Sequence, residues 1–108
     1  MSETRLVTIK KNHPSLAGHF PGNPVIPGVV ILEEVLETIR QSEPVMISLS
    51  GAPILKFHAP LHPEEELTIR LEPYHSQGRR FTCTTGTRLI ASGLFTYQTA
   101  DPLARSQA

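Results

Sequence analysis

Much is missing from this 108-residue chain, and each absence narrows what it can do. A single cysteine, Cys83, leaves no internal disulfide framework. Formal net charge is zero and no long basic run occurs, so nucleic-acid binding has no electrostatic footprint. No apolar stretch is long enough to span a bilayer. The start, Met-Ser-Glu-Thr-Arg-Leu, is not a charged leader followed by an apolar segment. His13, His58, His62 and His75 lack metal-site spacing, since no His-Glu-x-x-His pattern and no cysteine pair accompany them. The expectation is a cytoplasmic protein with no cofactor, no metal, no nucleic acid and no membrane partner.

What is present is unevenly distributed. Ten prolines are many for this length, and four lie between Pro14 and Pro27, which marks a shaped loop. Arg5 to Lys10 alternates as a short strand. A helix begins at Pro27, where a missing N–H costs nothing, and ends in Gln41-Ser42-Glu43-Pro44. Val29, Val30, Ile31, Leu32, Val35, Leu36 and Ile39 wrap nearly all round it, which predicts a central buried helix. Five β-rich runs follow: Val45 to Leu49, Ile54 to Ala59, Glu66 to Leu71, Arg79 to Thr85, and Leu89 to Tyr97. Gly86 marks a tight hairpin and Gly93 a bulge. This is an α+β domain over residues 1–99, one helix against five or six antiparallel strands. Residues 100–108 form a flexible tail. Such a sheet leaves an edge strand open, which a second copy would cover.

The segment Gly18 to Glu33 carries the chemistry. It sets His19 on the proline-rich loop and Glu33 on the helix, fourteen positions later. A neutral imidazole is a competent base near pH 7. A carboxylic acid among Val29, Val30 and Leu36 is desolvated and keeps its proton, and Glu37 one turn on pushes the same way. A base and an acid of this kind suffice to remove water from a 3-hydroxyacyl thioester. The first helical N–H groups have no internal partners, and Gly28 lets a thioester carbonyl approach them.

The segment closely resembles the hot-dog-fold 3-hydroxyacyl-acyl-carrier-protein dehydratases of the FabZ/FabA type. Their shared pattern is matched by His19-Phe20-Pro21, Pro27-Gly28-Val29 and Glu33. Lys56-Phe57-His58-Ala59-Pro60 is similar to their Lys-Phe-x-x-Pro strand. Glutamate at position 33 looks like the FabZ branch, which dehydrates without moving the double bond. The resemblance implies a hot-dog fold, with the sheet wrapped around the helix. It makes His19 the base and Glu33 the acid, and gives oxyanion or substrate contacts to Gly28, Val29, Val25 and Phe20. A carbonyl near Val25 would orient the His19 ring. The two catalytic groups of one site would come from different subunits of a dimer. Acyl carrier protein is the implied partner, alongside a second identical chain or another hot-dog subunit.

Two positions depart from the family pattern. Its usual glutamine is Glu37 here, a candidate auxiliary group, and its small residue after the acid is Glu34. Glu34 points about 100° away from Glu33 and is expected to meet solvent or an ion pair. Arg79, Arg80 and Lys56 could receive an acidic carrier protein, although such charges are usually just solvated. Cys83 reads as a half-buried small residue with no activating base. The departures suggest a specialised pathway, such as polyene or polyketide synthesis. The competing functions are a hot-dog thioesterase and a non-catalytic acyl-binding subunit.

Overall fold

The computed structural model describes residues 3–14, 24–43, 46–75 and 77–100. Its elements in chain order are β1 (Glu3–Thr8), α1 (Gly28–Ser42), β2 (Met46–Phe57), β3 (Glu66–Pro73), β4 (Gly78–Thr85) and β5 (Arg88–Ala100). The strands form one antiparallel sheet in the order β1-β3-β4-β5-β2. One helix against this five-stranded sheet is the hot-dog arrangement expected from the sequence. The expected tail beyond Ala100 lies outside the described residues.

The helix begins one residue later than expected. Pro27 (φ −60°, ψ 143°) is the cap rather than the first helical residue, and it makes no side-chain capping bond. At the other end Glu43 is already extended, as a residue preceding proline must be. Val30, Ile31, Val35 and Ile39 face the sheet and are buried. There they join Leu67, Ile69 and Leu71 of β3 and the stacked rings of Phe81 and Phe95, 5.2 Å apart. Each such side chain contributes about 1.5–3 kcal/mol by leaving water. Thr38 is buried as well, but it is satisfied. Its hydroxyl donates to the Glu34 carbonyl (2.7 Å) and accepts from Arg5 (3.2 Å).

Burial does not extend all round the helix, which corrects the sequence reading. Val29 is 61% exposed and Glu33 is exposed, while Leu32 and Leu36 are half-buried. The described residues cover one face of α1 and leave the other open.

The strand readings also change. The two runs at 45–49 and 54–59 are one strand, β2, paired with β5 through irregularities between Leu49 and Gly51 and between Gly51 and Ile54. The stretch between these runs reads as a break, but Gly51 pairs with Thr96 and the ladder absorbs one extra residue on each side of it. Gly93 is not a bulge. It is regularly paired with Leu55 and Phe81, and a Cβ there would lie 2.3 Å from the Ile54 carbonyl oxygen and 2.8 Å from the Phe81 ring. Close approach explains this glycine. Gly86 does turn the β4–β5 hairpin, with φ +58°. Cys83 is fully rather than half buried, and burial pushes its thiol up to about 12.

Candidate active site

The two family-like motifs meet at the start of α1. An open cleft of about 450 Å³ lies there, lined by Ile26, Gly28 and Ile31 on one side. Phe57, His58, Ala59, Pro60 and Leu61 line the other side. Strand β2 delivers Phe57 to the helix start, and the chain then turns at His58 and Pro60. A backbone hydrogen bond from Ile26 N–H to the Leu61 carbonyl (2.8 Å) draws the two walls together.

Gly28 packs closely against the opposite wall. A Cβ on it would sit 2.7 Å from the Phe57 ring. The ring therefore lies directly against the first residue of the helix. No side chain caps this end, and no acidic residue occupies the first turn. The positive end of the helix dipole is thus left without a compensating charge from its own helix. An oxygen carrying developing negative charge would be stabilised at such a place.

The structure brings only part of the expected site together. Gly28 lines the cleft, and Val25 lies on the half-buried stretch leading into it. Val29 projects from the helix, exposed. Glu33 is one turn further on, on the open face, and is not among the residues lining the cleft. Among the described residues, the apolar enclosure expected for it is not supplied. His19 and Phe20 lie outside the described residues.

The other acids of the helix have partners. Glu34 forms an ion pair with Arg5 of β1 (3.2 Å), as expected for a side chain directed away from Glu33. Glu37 pairs with Arg40 at 3.6 Å on the partly exposed surface. It is thereby drawn toward the following turn.

Exposed apolar side chains also line one edge of the sheet. Edge strand β2 carries Leu49, Ile54, Leu55 and Phe57, all more than a third exposed. Register places Leu55 and Phe57 on the same sheet face as Gly93 and Ala91, the face that packs on the helix. An exposed apolar edge of this length is what a pairing strand covers.

Several other expectations can be placed. Among the described residues, no group of three histidines, cysteines or acids converges as a metal site. His58 Nε2 lies 2.9 Å from the Ser92 hydroxyl, and His62 Nδ1 lies 3.1 Å from the Pro24 carbonyl. Arg79 is not free for a carrier protein. It is largely buried, paired with Glu43, and 5.8 Å over the Tyr97 ring. Arg80 lies 4.7 Å over the Tyr74 ring, and Lys56 is exposed.

Phe57 and Leu61 were not assigned a site role from the sequence. Phe57 belongs to the second motif and Leu61 directly follows it, but only the fold shows that this strand end faces the helix start.

Comparison with known proteins agrees with this geometry. The family model described as ApeI-like, ApeI dehydratase, matches residues 3–94. The chain is 32% identical over 113 residues to the 3-hydroxyacyl-[acyl-carrier-protein] dehydratase FabZ of Rhizorhabdus wittichii, covering 91% of this chain and 69% of that protein. It is 31% identical over 87 residues to FabZ of Ehrlichia chaffeensis, covering 76% of this chain. It spans only 59% of that relative's length. Among solved structures, the dehydratase heterocomplex ApeI:P from Xenorhabdus doucetiae superposes with a TM-score of 0.79 at 20% identity, over 89% of this chain and 86% of that one. An (R)-hydratase from A. caviae gives 0.71 at 13% identity, over 93% and 95%. At these identities the structural likenesses establish the hot-dog fold, while the family match and the FabZ relatives carry the lineage. The chain therefore belongs to the ApeI-like dehydratase family, among the 3-hydroxyacyl-acyl-carrier-protein dehydratases.

Proposed function

We propose that this protein removes water from a 3-hydroxyacyl thioester, carried on acyl carrier protein, to give the trans-2-enoyl thioester. The observation that carries the reading is the cleft at the uncapped start of α1, where the Pro27-Gly28-Val29 and Phe57-to-Pro60 motifs converge. The thioester carbonyl would sit against the Gly28 N–H, with Val29 beside it and Phe20 contributing to the acyl contact. His19, oriented by the Val25 carbonyl, would take the proton from C2. Electron density would move onto the thioester oxygen, held by the helix start. Glu33 would protonate the C3 hydroxyl as it leaves as water. Removing one oxyanion donor typically costs roughly a hundredfold to a thousandfold in rate.

The exposed position of Glu33 supports a shared site. Acid catalysis by Glu33 calls for a drier setting than the described residues provide. A second subunit docked on edge strand β2 and the open helix face would supply it. That subunit would be an identical chain in a dimer or a multiple of dimers, or another hot-dog chain. The dehydratase heterocomplex ApeI:P makes the second case worth testing. The pathway would be fatty acid synthesis or a specialised polyene or polyketide route in the cytoplasm. Glu37, held by Arg40, would act at most as an auxiliary group.

The test is the product formed from synthetic 3-hydroxyacyl carrier-protein thioesters, read by mass spectrometry across chain lengths. An enoyl thioester is expected. A free acid would make the protein a thioesterase, and unchanged substrate would leave it an acyl-binding subunit.

A further inference from the structure

His62, which the sequence motifs leave with only a structural or surface role, sits where it can act on the site. Its Nδ1 lies 3.1 Å from the Pro24 carbonyl oxygen, across 38 positions of sequence. A carbonyl oxygen can only accept, so Nδ1 carries the proton. Two residues on, Ile26 N–H donates to the Leu61 carbonyl at 2.8 Å. The stretch 24–26 is therefore held against 61–62 by two bonds, one from the backbone and one from the imidazole.

These two bonds fix the direction of the groups between them. Among the described residues no peptide bond is cis, and in a trans peptide the carbonyl and N–H point opposite ways. The Pro24 carbonyl is turned toward His62, so the Val25 N–H on the same peptide is turned away. The Ile26 N–H is turned toward Leu61, so the Val25 carbonyl is turned away too. Both polar backbone groups of Val25 thus face the side opposite the 61–62 segment. Two residues further on, Pro27 caps the helix and Gly28 lines the cleft.

The clamp has a firm base. The Glu65 carboxylate accepts from the His62 backbone N–H (2.8 Å) and from Arg88 (2.7 Å). Arg88 also donates to the Pro60 carbonyl at 3.2 Å. The His62 backbone bond, followed by Arg88, holds the Glu65 carboxyl below the usual carboxylate range. Pro63 further restricts the backbone of His62.

We propose that His62 is a positioning residue: its Nδ1–H clamps the Pro24 carbonyl, and so aims the backbone of Val25 and seats the entry to the helix start. The inference rests on the dehydratase reading above, in which the Val25 carbonyl orients the base. Loss of the clamp lets the Pro24–Val25 peptide rotate. Substrate then still enters the cleft, but the reacting groups are less well aimed.

The test compares His62→Leu with His62→Asn. Leucine fills the space without a donor, whereas asparagine places an amide nitrogen the same number of bonds from the backbone as Nδ1. His62→Leu is expected to lower kcat by about tenfold or more with KM little changed, since small misplacements can cost up to roughly a hundredfold. His62→Asn is expected to recover most of that loss, with both variants melting alike. Unchanged kcat in His62→Leu, or no recovery in His62→Asn, overturns the proposal. Ring-nitrogen NMR of the wild-type protein provides a readout independent of turnover. A protonated, exchange-protected Nδ1 at His62 is expected, and an unprotonated Nδ1 overturns the clamp even if the protein proves not to be a dehydratase. A wild-type protein that forms no enoyl product, with the Nδ1 proton in place, would instead sink the functional reading and, with it, the catalytic role assigned to the clamp.

Discussion

At its C-terminal end α1 is tied down. Glu43, the residue after the helix, accepts from Arg79 and from the Tyr97 hydroxyl, and Tyr97 is buried. Arg40 adds a positive charge to the last turn, where the helix dipole is negative. At the N-terminal end, the described residues offer nothing comparable. The cap is a proline without a side-chain bond, the first turn has no acid, and an open cleft adjoins Gly28. One end spends its polar groups on each other; the other keeps backbone donors available. On the proposed reading, stability and chemistry are separated along a single helix, and substitutions at the two ends should have separable consequences.

The largest expected effect is on turnover at the open end. His19→Ala and Glu33→Gln should each lose about a hundredfold or more of dehydration rate, on the usual scale for acid–base groups. Both should melt like the wild type. Steady-state kinetics with thermal denaturation check this, and wild-type turnover in either variant would remove that residue from the mechanism.

A paired substitution sharpens the comparison. In Gly28→Ala the new Cβ, 2.7 Å from the Phe57 ring, displaces that ring, which is half exposed and free to move. Activity should fall by about tenfold or more while stability changes little. Arg79→Leu should do the reverse. It leaves Glu43 with Tyr97 alone and should cost on the order of 2–3 kcal/mol, less than breaking a fully buried pair. Its kcat, measured where the variant is folded, should match the wild type. Loss of activity without loss of stability in Arg79→Leu would break the comparison.

A smaller effect should appear at alkaline pH. Burial, then the hydrogen bond to Glu43, holds the Tyr97 phenol above the ordinary tyrosine range. The unfolded phenol releases its proton near pH 10, before the folded one does, so the unfolded state binds fewer protons. Stability is therefore fully present below about pH 10 and declines as pH rises above it. Tyr97→Phe should flatten that decline. At neutral pH it should cost only about 1 kcal/mol, the worth of one hydrogen bond. Urea titrations at several pH values would read both.

Much of this design was legible in the sequence, for local reasons. The helix, its proline entry and its proline exit follow from backbone restrictions that need no tertiary context. The long motif from His19 to Glu33 pointed to the chemistry, and the second motif supplied the opposite wall of the cleft. What escaped was set by the fold. Gly51 to Pro53 looked like a strand boundary, yet the β5 ladder absorbs it. Gly93 looked like a bulge, yet its cause is a carbonyl and a ring brought in by neighbouring strands. The apolar residues around α1 suggested full burial, but periodicity cannot distinguish a side covered by the chain's own sheet from one left open. His62 carried no motif at all, and its bond to Pro24 exists only because two distant segments meet.

That last ambiguity, whose surface closes over Glu33, is the centre of the account, and one mixing experiment addresses it. Inactive His19→Ala and Glu33→Gln chains are combined under conditions of proven subunit exchange, and dehydration is assayed. In a mixed dimer with shared sites, one site unites two wild-type groups while the other holds both defects. The account predicts that activity returns on mixing to a substantial fraction of wild type. Mixtures as inactive as their parents, despite demonstrated exchange, would mean that His19 and Glu33 serve one site from one chain, and would contradict it.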